Sequence, residues 1–105
     1  MAYMIDGLQY ANWSEKIFQE MRAGAVDAVH VTITYHENFR ETVHNIERWN
    51  RWFEQYPDLI FHGRTAACIK TARDTKRTAI FFGSQNPSCI EDDIGLVEVL
   101  HTLGL

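Results

Sequence analysis

The sequence predicts an α/β fold: a parallel sheet built from strand–helix repeats. Three observations predict it. Short apolar, β-branched or aromatic runs alternate with stretches of helical periodicity along all 105 residues. The run Val26 to Tyr35 alternates strictly, with Val29, Val31, Ile33 and Tyr35 on one side and His30, Thr32, Thr34 and His36 on the other. The stretch from Lys76 to Leu105 reads as strand, loop and helix in succession. Helical crossovers between strands of one sheet make those strands parallel.

Each element has a local reason. Tyr3 to Gln9 is a short mixed-apolar run and reads as the first strand. Asn12, with Glu15 three residues on, is placed to cap the next helix. Ile17, Phe18 and Met21 form its inner stripe, and Gly24 ends it. Val26 to Tyr35 is the second strand; its small polar face suits a barrel lumen or a cleft. Asn38 and Glu41 form a second capping pair, opening a long helix that Pro57 stops near Tyr56. Its inner face holds Phe39, Val43, Ile46, Trp49 or Asn50, and Phe53. Trp49, Trp52, Phe53 and Tyr56 make a broad aromatic patch, either one wide core stripe or an interface.

Leu59 to Phe61 reads as a short extra strand, Thr65 to Arg73 as a short helix and Asp74 to Arg77 as a charged turn. Thr78 to Phe82 is a buried strand stopped at Gly83. Ser88, three residues before Glu91, has capping-box spacing. Ile90, Ile94, Val97 and Leu100 then recur on one helical face, and Gly104 is the stop.

Composition narrows the function classes. Ten Lys and Arg against 14 Asp and Glu give a net charge of −4. Mild acidity gives no reason to expect nucleic acid or a membrane surface as partner. No apolar run is long enough to span a bilayer. The N-terminus lacks the basic flank and apolar core of a signal peptide, so a cytoplasmic location is expected. Cys68 and Cys89 are the only cysteines and lack CxxC spacing, which suits reduced thiols there.

No GxSxG, Walker loop, GxGxxG or HExxH motif occurs. Candidate residues therefore come from position. Ligands bind at the C-terminal ends of strands in α/β folds, and the loop from Gly83 to Pro87 lies at such an end. Gln85 and Asn86 are candidates for a polar pocket there, although Asn86-Pro87 is also ordinary turn chemistry. Tyr10 offers a hydroxyl or an aromatic packing surface. His36 sits at the end of the second strand, as a pocket residue or a solvated loop histidine. His30 shares its polar face, and His44 reads as helix surface. His62 and His101 have no partner that the sequence identifies. Cys89 near a helix start has no base paired with it.

Two stretches resemble the membrane (renal) dipeptidase family of zinc-dependent barrel hydrolases. One is Gly83 to Gly104, similar to the family's Gly-x-Glu-Gly strand end followed by a loop and a helix ending in Leu-Gly. The other is Asp6-Gly7, similar to the start of the family's Asp-Gly-His-x-Asp strand. The resemblance implies a partial (β/α)8 TIM-type barrel of the metallo-dependent hydrolase kind. A closed barrel needs ~250 residues. On this reading residues 1–105 are the N-terminal part of the barrel domain, ending after the helix that follows the third main strand. The other reading is an open sheet of its own.

The family implies zinc as cofactor and a dipeptide or related small amide as substrate for a full-length parent. It also implies that this chain is inactive by itself. Matched residue by residue, Leu8 stands at the family's His position, Tyr10 at its Asp position and Gln85 at its bridging Glu position. A leucine has no lone pair, and a phenol is protonated near neutral pH, with an ordinary pKa of about 10. A neutral amide does little to offset two dications ~3.5–4 Å apart. A bacterial branch of the family is similar to this chain at these positions. The resemblance therefore implies no metal ligand here and leaves Gln85, Tyr10 and His36 as candidate substrate-binding residues. The alternative is a non-catalytic module that self-associates, or binds another chain, through its open sheet edges.

Overall fold

The computed structural model describes residues 2–105. It is an α/β fold around one four-stranded parallel sheet in the order β1-β2-β4-β3. Along the chain come β1 (Ile5–Gln9), α1 (Glu15–Ala23), β2 (Ala28–Thr34), α2 (Phe39–Gln55), β3 (Ile60–His62), α3 (Ala67–Thr75), β4 (Thr78–Ser84), a 3-10 turn (Pro87–Ile90) and α4 (Leu96–Thr102). The predicted order of elements and the parallel pairing are both present. The architecture is consistent with part of a TIM-like barrel.

Strand alternation sorts the helices onto two faces. Register places Val29 beside Ile80 and Val31 beside Phe82. That face carries the main core, where Phe18, Ile46, Trp49, Cys89 and Leu100 pack from α1, α2, the 3-10 turn and α4. The opposite face begins with Ala28 beside Ala79. The missing bulk there admits α3, whose Ala72 is fully buried against both alanines. The aromatic patch is core: Phe18 is fully buried and in contact distance of Trp49, Trp52 and Tyr56, with ring centroids 5.7, 5.7 and 5.8 Å away. Trp49 takes the inward position and Asn50 is exposed.

The capping box before α2 forms as predicted. Glu41 N donates to Asn38 Oδ1 at 2.9 Å, and Asn38 N donates to Glu41 Oε1 at 3.1 Å. The other two capping predictions fail. Ser14, not Asn12, precedes α1, and its extended backbone (φ −160°) caps without a side-chain bond. Ser88 falls inside the 3-10 turn, because Glu91 adopts a left-handed backbone (φ 52°) that breaks the helix before it starts. The Glu91 carboxylate turns away and accepts from Phe39 N at 3.0 Å. α4 consequently begins only at Leu96, and the predicted stripe is rotated: Leu100 is buried, but Ile94 is 82% exposed and Val97 50% exposed. Gly104 does stop the helix, at φ 116°, where a Cβ would run into the His62 ring.

β1 departs from simple alternation. The register shifts between Asp6 and Gln9, so both face the same way and Gln9 Nε2 donates to Asp6 Oδ2 at 2.5 Å. An extra residue opposite one partner reverses the side of everything beyond it.

A buried ion pair ties three segments together. Asp27, 3% exposed, accepts from Arg73 Nη2 at 2.7 Å and from Met4 N at 2.9 Å. Arg73 also donates to Ala2 O and lies 4.5 Å from the Tyr3 ring centroid. The N-terminal strand is thus clamped to α3. Burial by itself would raise the Asp27 pKa, but the Arg73 hydrogen bond, the Met4 amide and the Arg73 charge outweigh it and hold the carboxyl below its ordinary value.

Candidate functional site

Parallel strands put their C-terminal ends on one rim, here Gln9, Thr34 and Ser84. The backbone just beyond each end is fixed by side chains. Glu37 folds back so that its Oε2 accepts from Tyr35 N at 2.6 Å and His36 N at 3.1 Å. Its partial burial opposes ionisation, yet these amide bonds and the nearby His36 hold its pKa below the ordinary carboxylate value. On the β4 side, Gln85 N donates to Thr34 O at 2.9 Å and Gln85 Nε2 to Thr32 Oγ1 at 3.1 Å. Asn86 Nδ2 donates to Tyr35 O, and Ser84 Oγ donates to Asn86 O. The loops after β2 and β4 are therefore knitted into one polar surface.

The three candidates named from sequence lie on this rim. Tyr10 and Tyr35 meet edge-on at 5.8 Å, and Tyr35 and His36 at 4.1 Å. Gln85 connects to the same group through Asn86 and the Tyr35 carbonyl. Tyr10 is 66% exposed and Leu8 38% exposed. The sequence reading missed Tyr35 and Glu37, which organise the rim. The available signal was a glutamate immediately before a helix cap, where its carboxylate meets the free amides of the strand end.

On the sheet face that carries α3, Gly83 is needed. A Cβ there would lie 2.1 Å from His30 Nε2, so only glycine leaves room for the imidazole. A cleft of about 350 Å³ beside it is lined by His30, Gly63, Arg64 and Phe81. His44 is exposed on α2, as expected. His62 stacks on Phe53 at 5.4 Å, 9° from parallel, and its Nε2 is buried without a partner. Burial and the charge of Arg64 push its pKa down.

The chain is similar to a crystal structure of an amidohydrolase from Pseudomonas aeruginosa. The two share 38% identity at a TM-score of 0.95. The match covers 98% of this chain and 32% of the amidohydrolase chain. No protein-family model matches the chain, and no curated protein matches it. At this identity the likeness to the amidohydrolase supports more than a shared architecture: the fold is hydrolase-like. The present chain spans about a third of the amidohydrolase's length.

The rim does not suit the zinc pair that the family resemblance implies. Leu8 offers no donor atom, and the Gln85 amide is committed to Thr32 and bears no charge. Tyr10 is turned onto Tyr35. Among the described residues no three His, Cys, Asp or Glu side chains converge to hold a metal ion. No helix among them is long and apolar enough to cross a membrane.

Proposed function

We propose that this chain is the N-terminal part of a membrane-dipeptidase-like hydrolase, whose full-length parent cleaves a dipeptide or related small amide. The observation that carries it is the near-complete superposition on one third of an amidohydrolase. The lumen face agrees. Ile5, Leu8 and Tyr10 on or just beyond β1 are exposed, at 57%, 38% and 66%. Further strand–helix units would cover such residues in a closed barrel. On this reading the groups that activate water lie in the rest of the parent, and the chain is inactive by itself on such substrates. Gln85, Tyr10 and His36 would contact substrate in the parent, and two free thiols suit a cytoplasmic setting.

The test compares the 105-residue chain with the protein read from the same frame beyond Leu105. Both are assayed for dipeptide hydrolysis, with metal content measured. Expected are activity in the longer protein and none in the chain. Hydrolysis by the chain alone, or a longer reading frame without further strand–helix units, would overturn the reading.

A second reading is favoured by the sheet edges. β1 and β3 each have one unpaired edge among the described residues, and an unpaired edge is a template for another chain. On this reading the chain is a binding module that pairs with a second copy or another protein through β1. Sedimentation showing a concentration-dependent dimer that a proline at Leu8 abolishes would support it.

A further inference from the structure

A cavity of about 320 Å³ lies between the end of β1 and α2, and its chemistry differs from the lumen. Trp13, Trp49 and Trp52 wall it, with Trp13 and Trp49 edge-on at 5.5 Å and Trp49 and Trp52 at 4.7 Å. Glu37, Asn45 and Arg48 supply its polar groups. Asn45 Nδ2 is committed to Ile33 O at 2.7 Å, which leaves its Oδ1 free. Glu37 uses Oε2 for the two rim amides, and its Oε1 makes no hydrogen bond among the described residues. The Arg48 guanidinium forms no ion pair there either.

Opposite charges thus share one cavity without neutralising each other. Glu37 lies just before the Asn38 cap of α2 and Arg48 in its third turn, so the two charges line the cavity at different heights along the helix. Helical side chains lean toward the N-terminus, so the guanidinium leans back toward the carboxylate end of the cavity. A ligand with one charge would satisfy one end and desolvate the other without compensation. A neutral ligand would fail at both.

We propose that this cavity binds a small linear zwitterion. Its ammonium sits on Glu37 Oε1 and Asn45 Oδ1, its carboxylate on Arg48, and its short apolar chain lies against the tryptophan faces. The held ionisation of Glu37 supports the cation end, and the aromatic walls add cation–π attraction. The cavity shares Tyr10 and Glu37 with the rim, but its polar groups and tryptophan walls all belong to this chain, so the proposal does not require the rest of a hydrolase parent.

The experiment titrates δ-aminovalerate into the 105-residue chain and follows the indole N–H signals by NMR. Pentylamine and pentanoate, which keep one charge each, are the comparison probes. Saturable binding near a Kd of about 1 mM is expected, with each comparison probe at least about tenfold weaker. Arg48→Gln and Glu37→Gln each weaken δ-aminovalerate about tenfold. Glu37→Gln keeps an oxygen for the Tyr35 and His36 amides, so the rim stays folded. Absence of saturation by about 10 mM would overturn the proposal. So would equal binding of either comparison probe, or wild-type affinity in either variant.

Discussion

Replacing Asp27 by Asn tests how the N-terminal strand is held. The substitution keeps size and an oxygen for the Met4 amide but removes the charge facing Arg73. Breaking a buried pair costs about 3–5 kcal/mol, whereas an exposed pair contributes about 0–1. The Asp27 side chain is 4% exposed and that of Arg73 29%, so the pair lies between these limits, nearer the buried one. Arg73 also retains Ala2 O and the Tyr3 ring after the change. A loss of about 2–3 kcal/mol follows. Urea unfolding, read by fluorescence of the buried Trp49, measures it as a midpoint lowered by roughly 1–2 M. The pH dependence has a definite sign. Asp27 has a lowered pKa in the folded state, so its contribution is present above the ordinary value of 3.8 and is lost as pH falls through the folded value. The gap between wild type and variant should stay constant near neutrality and close below about pH 4. An unchanged midpoint at neutral pH, or a gap that widens in acid, would refute the argument.

Three further outcomes are expected. Asn38→Ala removes a cap bond from α2 and should lower stability by about 1 kcal/mol, measured by thermal unfolding in circular dichroism. His62→Phe keeps the ring stack with Phe53 and Phe82 and removes the orphaned Nε2. Because burial lowers the His62 pKa, the wild type should lose stability as pH falls below the ordinary value of 6.5, and the variant should be flatter over that range. Ser88→Ala should be neutral or stabilising, since its buried hydroxyl has no partner to lose; a loss above about 1 kcal/mol in the urea midpoint would show a bond the geometry does not contain.

Much of the fold was legible because its signals are local. The alternation of Val29, Val31 and Ile33 identifies a strand and its buried face within a few residues. The Asn38–Glu41 pair identifies a helix start because both capping bonds close within four residues. The same spacing at Ser88 and Glu91 misled, because Glu91 has a partner far away in sequence, the Phe39 amide, and a positive-φ backbone. Ile94 and Val97 were misassigned for the same reason: the face a helix buries depends on where it begins, and a distant contact moved that point. The candidate rim was legible only as a place. Gln85, Tyr10 and His36 follow from the rule that strand ends carry sites, but Glu37, Asn45 and Arg48 give no sequence pattern because β1, β2 and α2 must first pack together.

The sequence by itself determined the order of elements, their parallel pairing and the apolar face of the central strands. Those properties depend on periodicity and propensity, which act over a few residues. Only the tertiary structure decided that α3 packs against the face opposite the other helices and that Asp27 reaches Arg73. The tertiary structure also decided that unpaired charges share a tryptophan-walled cavity. Each of these depends on groups far apart in the chain, whose meeting is set by sheet register and by the small volume of Ala28 and Ala79.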